Sequence, residues 1–97
     1  MEKLTIVATI KAKEAQVELV NSELLKLAEQ THAKDEGCIN YNLHVDNAAP
    51  MLFVVYENWD SAELLQKHLD SAHFQAFMKA TEGATEEFTV NEMTQIG

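Results

Sequence analysis

Apolar residues recur every second position in four stretches of this chain and every third or fourth position in two. The order in which these periods follow one another limits the fold more than any other feature. In residues 3–11, Leu4, Ile6, Ala8 and Ile10 point one way and Thr5, Val7 and Thr9 the other, the period of a strand. Neither face is charged, so both are expected to be covered. In residues 14–33 the period lengthens: Val17, Val20, Leu24, Leu27, Ala28 and Thr31 form the stripe of an amphipathic helix of about five turns. Leu19 and Leu25 are expected to widen that stripe, and Gly37 to break the chain after it.

A second strand, residues 38–46, sets Ile39, Tyr41, Leu43 and Val45 against Cys38, Asn40, Asn42 and His44. After a turn at Asn47-Ala48-Ala49-Pro50, a third strand over residues 51–59 is rich in β-formers, and the short loop implies an antiparallel hairpin. Asp60 followed by Glu63 reads as a capping box that opens a helix with Leu64, Leu65, His68 and Leu69 inward. Ser71 caps a second helical piece with Phe74, Phe77 and Met78 inward, and Gly83 ends it. Residues 86–96 alternate again as a fourth strand.

The order β-α-β-β-α-β specifies one α+β domain over residues 1–97: a ferredoxin-like, four-stranded antiparallel sheet with the helices on one face. The other sheet face also carries apolar residues, and left open it would be a large exposed patch. A second copy packing sheet against sheet around a two-fold axis answers this, so a homodimer is expected.

Charge removes several classes of partner. Seven basic residues, none of them arginine, against 16 acidic ones give a net charge of −9. Nucleic acid and anionic membranes call for clustered basic side chains, so neither is an expected partner. The single cysteine, Cys38, cannot close an internal disulfide, and Met1-Glu2-Lys3 runs straight into a strand without a secretory pattern. Both favour a reducing, cytoplasmic setting.

Chemistry is expected on the hairpin. If Asp46 pairs with Met51, Cys38 faces Trp59, Asn40 faces Glu57, Asn42 faces Val55 and His44 faces Phe53. One face then gathers Cys38, Asn40, Asn42, His44 and Glu57 beside Phe53 and Trp59. Apolar walls with a few convergent polar groups suit a small organic ligand. A carboxylate between Phe53 and Trp59 is a candidate for proton transfer. His68 and His73 can point at the same cavity. His32 is placed to interact with the helix dipole, and Cys38, with no basic neighbour, reads as a small hydrophobe and not a nucleophile. No metal site is expected, because His68 and His73 are five apart and not the four that align two ligands on one helical face. No glycine-rich phosphate loop follows a strand.

Three segments carry a family resemblance. Asp35-Glu36-Gly37-Cys38 with Tyr41 and His44, Pro50 and Phe53 with Tyr56-Glu57-Asn58-Trp59, and His68-Leu69-Asp70-Ser71-Ala72-His73-Phe74 resemble, in order and spacing, the antibiotic biosynthesis monooxygenase family. The resemblance implies a dimeric α+β barrel with its substrate pocket between sheet and helices. Similar members include small quinol monooxygenases that use oxygen with no metal or flavin. The family's Glu-x-Trp falls on Glu57 and Trp59, and its histidines on His44, His68 and His73. Haem-degrading relatives use a first-strand asparagine where this chain has Thr5, Val7 and Thr9, and a histidine ligand near Met78, so haem degradation is disfavoured. The lack of arginine likewise disfavours a phosphorylated-sugar isomerase.

The expected function is therefore cofactor-independent oxidation of a quinol or polyphenol by O2. The base is one of His44, Glu57, His68 and His73, Asn40 or Asn42 holds a substrate oxygen, and Phe53, Trp59 and Phe74 form apolar walls. The competing classes are a non-catalytic small-molecule-binding dimer and an isomerase or decarboxylase on the same scaffold.

Overall fold

A computed structural model describes residues 3–97, so the opening Met1-Glu2 of the secretory-signal argument lies outside it. Its elements are β1 (Leu4–Ala12), a 3-10 turn (Glu14–Gln16) running into α1 (Val17–Lys34), β2 (Cys38–Val45), β3 (Leu52–Trp59), α2 (Ala62–Leu69), α3 (Ala72–Ala80) and β4 (Thr85–Met93). The strands form one antiparallel sheet in the order β2-β3-β1-β4. This is the expected ferredoxin-like α+β arrangement, with the second helical region split in two at Asp70-Ser71.

One sheet face carries the core. Ile6, Ala8, Ile10 and Ala12 of β1 are buried against Val20, Leu24, Leu27 and Ala28 of α1 and Phe77 of α3. The predicted α1 stripe is thus the buried one, but it is narrower than expected. Leu19 and Leu25 are exposed, at 37% and 58%, because the sheet meets only the positions spaced by three and four. Met78, expected inward, is exposed on α3, where Phe77 takes the core position.

Local signals explain most element ends. Ser61, not Asp60, caps α2, its Oγ accepting from the Leu64 N–H at 3.2 Å. Ser71 caps α3 as expected, accepting from the Phe74 N–H at 3.2 Å while its own hydroxyl donates to the His68 carbonyl at 2.6 Å. That double role braces the elbow between α2 and α3. Gly37 has φ +83, and a Cβ there would collide with the Leu64 side chain. Glycine therefore serves both a left-handed turn and the close approach of α2 to the start of β2. β4 stops at Met93, earlier than expected.

The opposite sheet face has Val7, Leu52 and Val54 half-buried and Tyr56 and Met93 exposed. A chain of side-chain hydrogen bonds crosses it: the Thr5 hydroxyl donates to Asn58, Asn58 to Asn40, and Asn40 to Asn42.

Candidate active site

The hairpin register decides which side chains can meet, and it differs from the expected one. Cys38 does face Trp59, but Asn40 then pairs with Asn58, Tyr41 with Glu57, Asn42 with Tyr56, Leu43 with Val55 and His44 with Val54. Two features produce the one-residue shift. Asp46 donates its N–H to the Leu52 carbonyl at 2.9 Å, so the turn includes Met51, and the Asp46 carboxylate accepts from the Ala48 and Ala49 N–H groups. At the other end, the register shifts between Cys38 and Asn40, a bulge that absorbs Ile39 and leaves it exposed.

The consequence is a change of face. Tyr41 and Leu43 turn toward the helices, joining Phe53, Val55, Glu57 and Trp59, whereas Asn40, Asn42 and His44 lie on the opposite face. The physical reason is burial: the expected pairing would press three polar side chains against the core and expose Tyr41. Asn40, Asn42 and His44 are therefore not brought to the helix-side cavity. Glu57, His68 and Phe74 do line it, Trp59 packs behind them against His68, and His73 joins them through Asp35 from the neighbouring groove. Phe53 is on the expected face but sits within the core, away from the cavity wall.

The centre of the site is His68, 1% exposed. Its ring lies against Trp59 at 4.8 Å, Phe74 at 5.2 Å and Tyr41 at 5.3 Å between centroids. Its Nδ1 lies 2.5 Å from Asp35 Oδ2, and His73 Nε2 reaches the same oxygen at 2.9 Å. An ionised carboxylate only accepts, so both ring nitrogens donate to it. In the neutral ring that leaves His68 Nε2 as the free acceptor. Burial lowers the His68 pKa, with Asp35 partly opposing, which favours the neutral ring.

Glu57 lines the same cavity. Burial pushes its carboxyl up to about 7, while a hydrogen bond donated by Trp59 Nε1–H to Oε1 at 2.9 Å holds it down somewhat. Tyr41 is raised by burial, then by Glu57. Cys38 is pushed up to about 11, mainly by burial, so it remains a thiol and packs as the small hydrophobe expected.

The cavity bounded by His68, Glu57, Tyr41, Val55, Phe74 and Phe77 holds about 20 Å³, room for one water-sized molecule. A groove of about 250 Å³ between α1 and α3, lined by His73, Glu23 and Glu29 among others, shares Leu27 and Phe77 with it. These two side chains form the partition.

Asp35 and Tyr41 carry parts of the site that sequence reasoning did not assign. Asp35 is the C-cap residue of α1, its N–H donating to the Thr31 carbonyl at 3.0 Å. Its one visible signal was membership of the Asp-Glu-Gly-Cys segment. The five-residue spacing of His68 and His73 does not keep them apart. A spacing of five misaligns two ligands only within one helix, but His68 and His73 lie on α2 and α3, and with Asp35 their donor atoms all fall within 4.8 Å of one another. His32 donates to the backbone across the layer, its Nε2–H directed at the Tyr41 carbonyl oxygen at 3.0 Å.

Comparison with known proteins agrees with this fold. The family model described as antibiotic biosynthesis monooxygenase matches residues 3–80. A probable quinol monooxygenase, YgiN, of Escherichia coli is 31% identical over 97 residues, covering 90% of this chain and 92% of that protein. The crystal structure of PA3566 from Pseudomonas aeruginosa superposes with a TM-score of 0.93 at 28% identity, covering 100% of this chain and 97% of that one. A crystal structure described as an antibiotic biosynthesis monooxygenase gives a TM-score of 0.89 at 25% identity, covering 97% and 99%.

Proposed function

The chain belongs to the antibiotic biosynthesis monooxygenase family, and from that premise we propose that it oxidises a small electron-rich phenol or quinol with O2, with His68 as the base. The observation that carries this reading is the buried Asp35–His68 pair, which fixes the tautomer and leaves Nε2 as the free acceptor of a ring that lines the cavity. Nε2 takes the phenolic proton. The resulting phenolate passes one electron to O2, giving a phenoxyl radical and superoxide. Their recombination forms the new C–O bond, and loss of water yields the quinone, so one oxygen atom enters the product and the other leaves as water. The electrons come from the substrate itself, so the reading requires no cofactor.

Glu57, with its carboxyl near neutrality, donates to or accepts from a second substrate oxygen, and Trp59 holds it in place. Phe74 supplies an apolar wall. Pockets for small ligands commonly measure about 300–1,000 Å³, far above the cavity volume, so binding requires rotation of Leu27 and Phe77 to join cavity and groove. The same proposal includes a homodimer through the open sheet face, with Val7, Leu52, Val54 and Tyr56 covered by a second copy, and a cytoplasmic setting. Among the described residues no helix is long and apolar enough to cross a membrane.

The test is oxygen uptake with a reduced naphthoquinol, after subtraction of its autoxidation. His68→Ala should lower the enzyme-dependent rate by about a hundredfold or more. A wild-type rate in that variant would remove His68 as the base, and no uptake by the wild-type protein across a panel of quinols would remove the oxygenase reading.

A further inference from the structure

We propose that Asp35, His68 and His73 form a binding site for a single divalent transition-metal ion of the zinc class, and that an ion held there silences the His68 base. The first observation is the donor set. Two imidazole nitrogens and one carboxylate oxygen, from the end of α1, from α2 and from α3, lie within 4.8 Å of one another. That combination suits zinc, cobalt, nickel or copper better than calcium or magnesium, which take oxygen donors. The second is spacing. Around a tetrahedral ion with bonds of about 2.0–2.1 Å, neighbouring donor atoms stand roughly 3.3 Å apart. The two contacts to Asp35 Oδ2, at 2.5 and 2.9 Å, therefore need to widen by less than about an ångström, and the two imidazole nitrogens, within 4.8 Å of each other, to close by about 1.5 Å at most.

The third observation is access and charge. His73 and Asp35 have side chains 12% and 10% exposed, so the cluster is reached from outside while His68 anchors it within. His73 lies on the groove that also carries Glu23 and Glu29, whose carboxylates outnumber the neighbouring Lys26 ammonium. The chain's net charge of −9 adds a field that draws cations. The cluster is thus not a set of exposed acids but a converging set of mixed ligands with one buried member.

The effect on the base follows from proton placement and rests on the reading of His68 given above. To ligate through Nδ1, His68 must give up the proton it donates to Asp35 and carry it on Nε2. That nitrogen then becomes a donor and cannot accept a phenolic proton. An occupied ion site and an active base exclude one another because they use opposite tautomers of one ring.

Binding is tested without any substrate, so its outcome is independent of the oxygenase reading. Metal-free protein is titrated with Zn2+ against a chromophoric chelator and with Co2+ followed in the visible spectrum. One ion per chain is expected, with affinity lowered by at least about tenfold in His73→Gln. Glutamine can still donate to Asp35, so the elbow keeps its hydrogen bond, and circular dichroism verifies the fold. A double variant, His32→Ala with His44→Ala, should bind as the wild type does. No saturable binding, or binding weakened by the double variant and not by His73→Gln, would overturn the site. Where oxygen uptake is measurable, one equivalent of Zn2+ should abolish it, and the chelator should restore it. Uptake that is unchanged at full occupancy would overturn the exclusion of the base while leaving the site.

Discussion

The two faces of the sheet both carry buried or half-buried polar side chains, yet they do so in opposite ways. On the open face, Thr5, Asn58, Asn40 and Asn42 form a chain of neutral hydroxyl and amide groups that satisfy one another. On the helix side, Asp35, His68, His73 and Glu57 are titratable; His68 is packed among aromatic rings, and His68 and Glu57 border a cavity. Polarity within a sheet is therefore a poor guide to chemistry. What separates the amide chain from the helix-side cluster is whether a group can change protonation state and whether an atom of it is left for a ligand.

Exchanging one histidine from each face gives the largest contrast. His68→Ala should cost about a hundredfold or more in oxygen uptake, whereas His44→Ala, on the open face, should stay within about twofold of wild type. Equal losses would erase the distinction between the faces. The next effect is on stability. Gly37→Ala meets both a left-handed φ and Leu64, and should cost about 2–4 kcal/mol in urea unfolding. Gly83→Ala, with φ +78 but open space, should cost about 1–2 kcal/mol. Similar losses at both would mean that the approach of α2 to Gly37 carries no weight.

Glu57 and His68 give the helix side a pH dependence that the amide chain lacks. The Glu57 carboxyl, raised from 4.5 to about 7, binds its proton more tightly folded than unfolded. Its contribution is fully present below about pH 4.5 and is lost as pH rises through 7. By the shift this is at most of order 3 kcal/mol. The lowered His68 works in the other direction, its contribution being lost as pH falls below its ordinary value of 6.5. Glu57→Gln should thus raise the melting temperature relative to wild type more at pH 8 than at pH 5. A constant difference across that range would contradict the assignment. On the open face the effect is confined to stability. Asn58→Ala leaves Thr5 and Asn40 short of a partner, and should cost about 1–3 kcal/mol of stability with turnover unchanged.

Much of this was readable from local pattern. The alternation of β1, the stripe of α1 from Val20 to Thr31 and the Ser71 cap all depend on neighbours a few residues away, and all stand. Glu57, Trp59, His68 and Phe74 were legible for the same reason. The hairpin pairing was not. Alternation within β2 continues through Ile39, Tyr41 and Leu43 with no mark of the bulge, so each strand reads well while their mutual register slips. Asp35 was missed because its meaning lies 33 positions away, at His68, in a contact that no spacing rule contains. Residues that work through distant partners are the ones a linear reading misses.

The place of β1 in the sheet also bears on how the protein is made. The strand synthesised first lies between β3 and β4. While the nascent chain is still on the ribosome, the side of β1 that will receive residues 85–93 stays an unpaired edge carrying Ile6, Ala8 and Ile10. Such an edge invites pairing with other chains. A pause in translation before Thr85 should therefore favour capture by chaperones or aggregation over a stable partial fold.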